Sequence, residues 1–119
     1  MARVRTKRVY DSAERDDGYR ILVDRLWPRG VKKTDLAHDD WFKDVAPSGY
    51  LRRWFGHDPD RFESFAKRYR EELADNEEFE RLAEIANDRP VTLLYAARDH
   101  EHNHAVVLAE ALEKRRKAS

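Results

Sequence analysis

Residues 91–112, VTLLYAARDHEHNHAVVLAEAL, leave few folds open to this chain. Val91–Tyr95 is a short apolar run of β-formers behind Pro90, and it reads as a buried strand. Ala105, Leu108, Ala109 and Leu112 recur at helical spacing, and Val107 and Ala111 widen the stripe, so a core-facing helix follows. Between the two, residues 96–104 form a polar turn holding Arg98, Asp99, His100, Glu101, His102, Asn103 and His104. A buried strand that feeds a buried helix through a polar turn presents polar groups at the carboxyl end of a sheet, where α/β proteins bind ligands. Three of the five histidines fall in this turn, which makes it the first place to look for a site.

The other segments fit the same architecture. Residues 4–10 are rich in β-branched side chains and read as a strand. Asp17-Gly18 is a turn signal, and Ile21, Leu22 and Val23 in a row read as a buried central strand. The link between these two strands is short enough for a hairpin on length alone, so their pairing stays open. Pro28 and Gly30 lead away from the second strand. In residues 34–46, Leu36, Trp41, Phe42 and Val45 could line a short helix. Ser48 is a good N-cap for a helix closed by Gly56. Asp58-Pro59 opens a second helix with Phe62, Phe65, Ala66, Tyr69 and Leu73 on one face. Asp75 with Glu78 fits a capping box for a third helix, whose core face is Phe79, Leu82, Ala83 and Ala86. The expectation is an α/β fold: one small domain over residues 1–119, with a short, mostly parallel or mixed sheet covered by helices. Residues 112–119 are expected to be a fraying basic tail.

Composition narrows the function. Apolar and charged residues each make up 40% of the 119 residues, which suits a single modest core under a highly charged surface. There is no cysteine, so disulfides and thiolate catalysis are excluded. No apolar stretch is long enough to span a membrane and the N-terminus shows no apolar signal region, so a cytoplasmic location is the expectation. Net charge is zero, but residues 1–33 carry ten Lys and Arg against five Asp and Glu. That basic third either holds an anion or pairs internally.

Two groups of residues could carry chemistry. Asp24, Arg25, Trp27 and Arg29 follow one buried strand, and Arg98 and Asp99 follow another. If the strands are parallel neighbours, the guanidiniums of Arg25, Arg29 and Arg98 can converge on one crevice, where their planar donors suit phosphate or carboxylate. The competing reading is a structural ion pair, Asp24 with Arg98 or Arg25 with Asp99. The second group is His100, His102, Asn103 and His104, with His57 in the Gly56-His57-Asp58 turn. The histidine spacing can supply two zinc ligands, but no third is fixed, so no metal is expected. No cofactor is expected either, because no phosphate-cradling loop, dinucleotide glycine fingerprint or nucleophile elbow is present. Trp27, Trp41 and Trp54 read as core.

Four stretches carry a family resemblance: KRVYD, DGYRILVDRLWPRG, DWFKDVAPSGYLRRWFGHDPDRF with its trailing RYREEL, and the strand–turn–helix segment. Together they resemble the YeaO-like branch of the domain of unknown function family 488, in family order and over nearly the whole chain. The resemblance implies parallel strands, and it implies an arginine after Val23-Asp24, which Arg25 matches. It adds little function, because the family is largely uncharacterised. The broader family carries a motif similar to Cys-His-Arg near a strand-ending cysteine. Here Tyr95 stands for the strand cysteine, Asn103 for the second cysteine and Ala105 for the arginine, and only His104 remains. A sulfur-transfer or redox role is therefore not implied. A porphyrin methyltransferase label, which some relatives carry, fits neither the length nor the lack of a glycine-rich loop.

Two functions follow as expectations. In the first, a small anionic ligand or nucleotide binds at the strand ends, held by Arg25, Trp27, Arg29, Arg98 and Asn103, with His104, His57 and Tyr95 available for proton transfer. In the second, a non-catalytic module binds nucleic acid or protein through the basic residues in 3–8 and 114–117. Zero net charge counts against strong nucleic-acid binding. The sequence leaves open whether the protein is an enzyme, and its oligomeric state.

Overall fold

A computed structural model describes residues 4–118. Their strands are β1 (Val4–Arg8), β2 (Tyr19–Leu22), β3 (Asp40–Trp41) and β4 (Val91–Tyr95), and their α-helices are α1 (Gly49–Phe55), α2 (Phe62–Ala74), α3 (Glu77–Asp88) and α4 (His104–Ala118). The strands form one parallel sheet in the order β1, β4, β2, β3. The α/β expectation holds, and the sheet is parallel throughout. Ile21 lies opposite Leu93 and Leu22 opposite Leu94, with all four side chains buried.

Alternation along β4 assigns the two faces of the sheet. Val91, Leu93 and Tyr95 join Ile21 and Val23 in the main core, which α2, α3 and α4 cover. Leu22 and Leu94 point to the other face, where Val9 and Leu36 complete a smaller cluster packed by Trp27 and Trp41. That second face is covered by connections rather than α-helices.

β1 and β2 are both parallel to β4, which lies between them, so the hairpin alternative is not adopted. Residues 9–18 make the crossing despite their brevity, because Asp17 fastens the loop to the second face. The Asp17 carboxylate pairs with Lys7 of β1 and Arg20 of β2, and its carbonyl accepts the Thr92 hydroxyl of β4 at 2.7 Å. Gly18 then turns the chain at φ +67°, where an added Cβ would collide with the Pro90 carbonyl oxygen. That oxygen accepts the Tyr19 N–H at 2.9 Å and sets the β2 register against β4.

Two local expectations are corrected. Residues 34–46 are not a helix. Asp40–Trp41 pairs with β2 as an edge strand, Lys43–Val45 makes a single 3-10 turn, and the apolar residues reach the core from an irregular path. The α3 cap sits one residue later than Asp75: the Asn76 side chain accepts the Phe79 N–H at 3.0 Å. The basic end beyond Leu112 continues as helix to Ala118. Arg115 pairs there with Glu80 of α3, and Glu113 accepts the Val4 N–H at 3.0 Å. The other caps fall where the sequence places them, at Ser48, Gly56 and Asp58-Pro59. Arg3, part of the basic N-terminal run, lies outside the described residues.

Candidate functional site

A cleft of about 490 Å³ opens at the carboxyl ends of β2 and β4. Its polar lining is Asp24 and Arg25 after β2, Arg52 and Arg53 of α1, His57 after α1, and Asn103 with His104 at the start of α4. Local sequence explains why these side chains meet. Asn103 caps α4 from a buried position: its Oδ1 accepts the Val106 N–H at 3.1 Å and its Nδ2 donates to the Asp99 carbonyl at 2.8 Å. The first turn of α4 is thereby fixed at the cleft. Ser48 caps α1, accepting the Leu51 N–H at 3.2 Å, and its own N–H and hydroxyl donate to Glu72 of α2 at 2.9 and 2.7 Å. Leu51 and Phe55 then face the core while Arg52 and Arg53 line the cleft. Gly56 ends α1 in the left-handed region, and His57 follows at φ +58°. A non-glycine residue there costs on the order of 1 kcal/mol, so the turn holding His57 is set by its surroundings rather than by local preference.

The floor of the cleft is a histidine–carboxylate pair. His104 Nε2 lies 3.0 Å from the Val23 carbonyl oxygen and 3.3 Å from Asp24 Oδ1. The carbonyl can only accept, so Nε2 carries the proton and the neutral ring keeps Nδ1 as an acceptor. Asp24 Oδ2 accepts the Ala96 N–H of the neighbouring strand end at 3.0 Å, which locks the carboxylate across β2 and β4. Burial lowers the His104 pKa below 6.5 against the opposing pull of Asp24 and the Val23 carbonyl. Burial likewise raises Asp24 above 3.8, opposed first by His104 and then by the Ala96 N–H. Tyr69 packs edge-on to His104, with ring centroids 6.2 Å apart. Its hydroxyl donates to the Val45 carbonyl at 2.7 Å, and burial holds its pKa well above the ordinary tyrosine value.

Of the residues singled out from sequence, Arg25, His57, Asn103 and His104 line the cleft, and Trp27, Arg29, Tyr95 and Arg98 do not. Tyr95 is buried with its hydroxyl 3.1 Å from His100 Nδ1. Trp27 donates to the Val31 carbonyl at 2.6 Å and packs on Trp41 in the second-face cluster. Arg29 and Arg98 are exposed. The meeting of Arg25 with Arg98 in one crevice is therefore not formed. The alternative ion pairs are not formed either, since Asp24 faces His104, Asp99 faces His102 at 2.9 Å, and Arg25 lies 3.6 Å from Asp44. The turn histidines diverge to separate partners. Among the described residues, no three His, Asp or Glu side chains are grouped to hold a metal ion.

Arg52 and Arg53 are the lining residues that sequence reasoning missed. The available signal was Leu51-Arg52-Arg53-Trp54-Phe55-Gly56-His57, in which apolar residues mark the core side of a short helix and two arginines occupy the other side.

A small parallel α/β domain, with a cleft at the carboxyl edge of its sheet and a half-buried His–Asp pair but no thiol, is the class that fold and site define. The chain belongs to the inactive DUF488-N3 subclade, whose model matches residues 3–119. It is 54% identical over 110 residues to the uncharacterized protein YeaO of Escherichia coli, covering 92% of this chain and 96% of that one. It is also 47% identical over 113 residues to uncharacterized proteins of Mycobacterium bovis and Mycobacterium tuberculosis, covering 95% of this chain and 96% of each. No solved structure matches the chain.

Proposed function

We propose that the protein is a binding domain that holds a small anionic ligand in this cleft without turning it over. The observation that carries the reading is the charge of the lining. Arg25, Arg52 and Arg53 line the cleft, and against them its lining holds one carboxylate among the described residues, Asp24, whose Oδ2 accepts the Ala96 N–H while its Oδ1 lies 3.3 Å from His104. Arg25 has weak partners, a 3.4 Å bond to the Ala46 carbonyl and the 3.6 Å approach to the exposed Asp44. A helix N-terminus beside such a basic wall adds to the attraction for an anion. Binding without turnover is favoured because Tyr95 stands for the strand cysteine and Asn103 and Ala105 for the cysteine and arginine of the Cys-His-Arg pattern, and because the matched subclade is described as inactive. Part of the basic surface needed by the nucleic-acid alternative is engaged internally. Lys7 pairs with Glu14 and Asp17, Arg8 donates to the Ala96 and Ala97 carbonyls, and Arg115 pairs with Glu80.

Inorganic phosphate titrated by NMR tests the proposal. Shifts are expected to cluster at residues 24–26, 52–57 and 103–105. Arg52→Ala should weaken the affinity by roughly tenfold or more, the scale of one charge-assisted hydrogen bond. An unchanged spectrum at millimolar phosphate, or shifts centred on residues 114–116, would refute it.

A further inference from the structure

The lining of the cleft is mixed. Beside its arginines it includes the apolar residues Leu26, Ala46, Pro47, Phe55, Ala96 and Ala97. Phe55 and Ala46 are buried, but Leu26 is 69% exposed at the rim, although it belongs to the lining. The other two large apolar side chains exposed among the described residues, Tyr10 and Tyr50, do not line the cleft. A cleft of about 490 Å³ falls in the range that encloses organic ligands of drug size, and an inorganic anion would occupy a small part of it. Three guanidiniums in the lining also match the larger charge and three terminal oxygens of a phosphate monoester better than a single carboxylate.

Building on the anion-site reading, we infer that the ligand is an organic phosphate monoester of nucleotide size. Its phosphate meets Arg25, Arg52 and Arg53, and its less polar body lies against Leu26, Pro47 and the Ala96-Ala97 step. Leu26 is then the residue that separates an organic phosphate from a bare one. Its side chain loses water only when a ligand body covers it, so its contribution arises in the complex.

Calorimetry with four probes tests this: adenosine 5′-monophosphate, ribose 5-phosphate, adenosine and inorganic phosphate. The nucleotide is expected to bind at least about tenfold tighter than inorganic phosphate, with ribose 5-phosphate close to inorganic phosphate. Leu26→Ser should weaken the nucleotide by roughly tenfold, the scale of burying one leucine side chain, and leave inorganic phosphate unchanged. Arg52→Ala should weaken both. Leu26 is exposed, so its replacement does not disturb the core. A nucleotide no tighter than inorganic phosphate, or a Leu26→Ser loss equal for both, would overturn this inference and leave the anion site standing. Binding of neither would overturn the anion site as well. Adenosine binding as tightly as its monophosphate would also contradict the inference, because the arginines would then contribute nothing.

Discussion

Asp17 is 1% exposed, yet it holds its charge. Burial works to raise its pKa, but the Glu14 N–H, Lys7 and Arg20 together outweigh that effect and bring it below 3.8. Removing the charge leaves Arg20, itself only 6% exposed, without its carboxylate. Asp17→Asn should therefore destabilise the fold by roughly 3–5 kcal/mol in urea denaturation. A loss under about 1 kcal/mol would mean that solvent already screens the pair. His104 acts in the opposite sense on pH. Its folded-state pKa lies below 6.5, so the unfolded chain binds the proton more readily, and stability falls as pH drops below 6.5 until the folded pKa is passed. The groups acting on its ring are Asp24, Arg52 and His57, with Tyr69 packed at its edge. Asp24, raised by burial, offsets part of this at lower pH, between 3.8 and its own folded value. His104→Gln should flatten the decline between pH 7 and 5. An equal slope in wild type and variant would remove His104 as its source. At this scale the sequence was partly legible. Lys7 and Arg20 of its basic first third do share an acid, Asp17, but which acid meets which base depends on which face of the sheet each side chain takes. Asp24 was visible as a candidate partner, yet its engagement by His104 joins residues 80 apart in the chain.

Among the elements, those with a strong period were readable. β4, α2, α3 and α4 each carry an apolar pattern that burial then confirms, with Leu93, Tyr69, Leu82 and Leu108 all fully buried. Leu93→Ala removes packing shared by the sheet and the helical layer, and should cost roughly 2–5 kcal/mol. A denaturation midpoint unchanged by this substitution would contradict the assigned core. The two-residue β3 was not readable, because it is too short to show alternation and is held by pairing with β2: Phe42 N–H to Leu22 at 2.9 Å and Asp39 N–H to Arg20 at 2.7 Å. The β1–β2 link failed on length for a related reason. A dozen residues is the usual minimum for a parallel crossover, and the Asp17 anchor that lets this shorter one work is a tertiary feature.

For the molecule as a whole, zero net charge conceals a local arrangement. The carboxyl edge of the sheet gathers Arg25, Arg52 and Arg53, while Lys7, Arg20, Arg115 and Arg116 elsewhere pair with neighbouring carboxylates. The site was legible as a place, the polar turn after β4 facing the end of β2. It was not legible as a residue set, because α1 supplies two of its arginines from the middle of the chain. An anion held there by partly exposed arginines should bind more weakly as salt rises from about 0.05 to 0.5 M, since screening shortens the reach of those charges. An affinity independent of salt would count against the arginines as the main attraction. The most direct test is to locate the anion itself, by anomalous diffraction from a crystal soaked in tungstate, a phosphate mimic with a strong signal. A peak is expected inside the cleft, within hydrogen-bonding reach of Arg25 and Arg52 and beside the first turn of α4. Tungstate bound only at other surfaces, with an open and solvent-accessible cleft left empty, would contradict it.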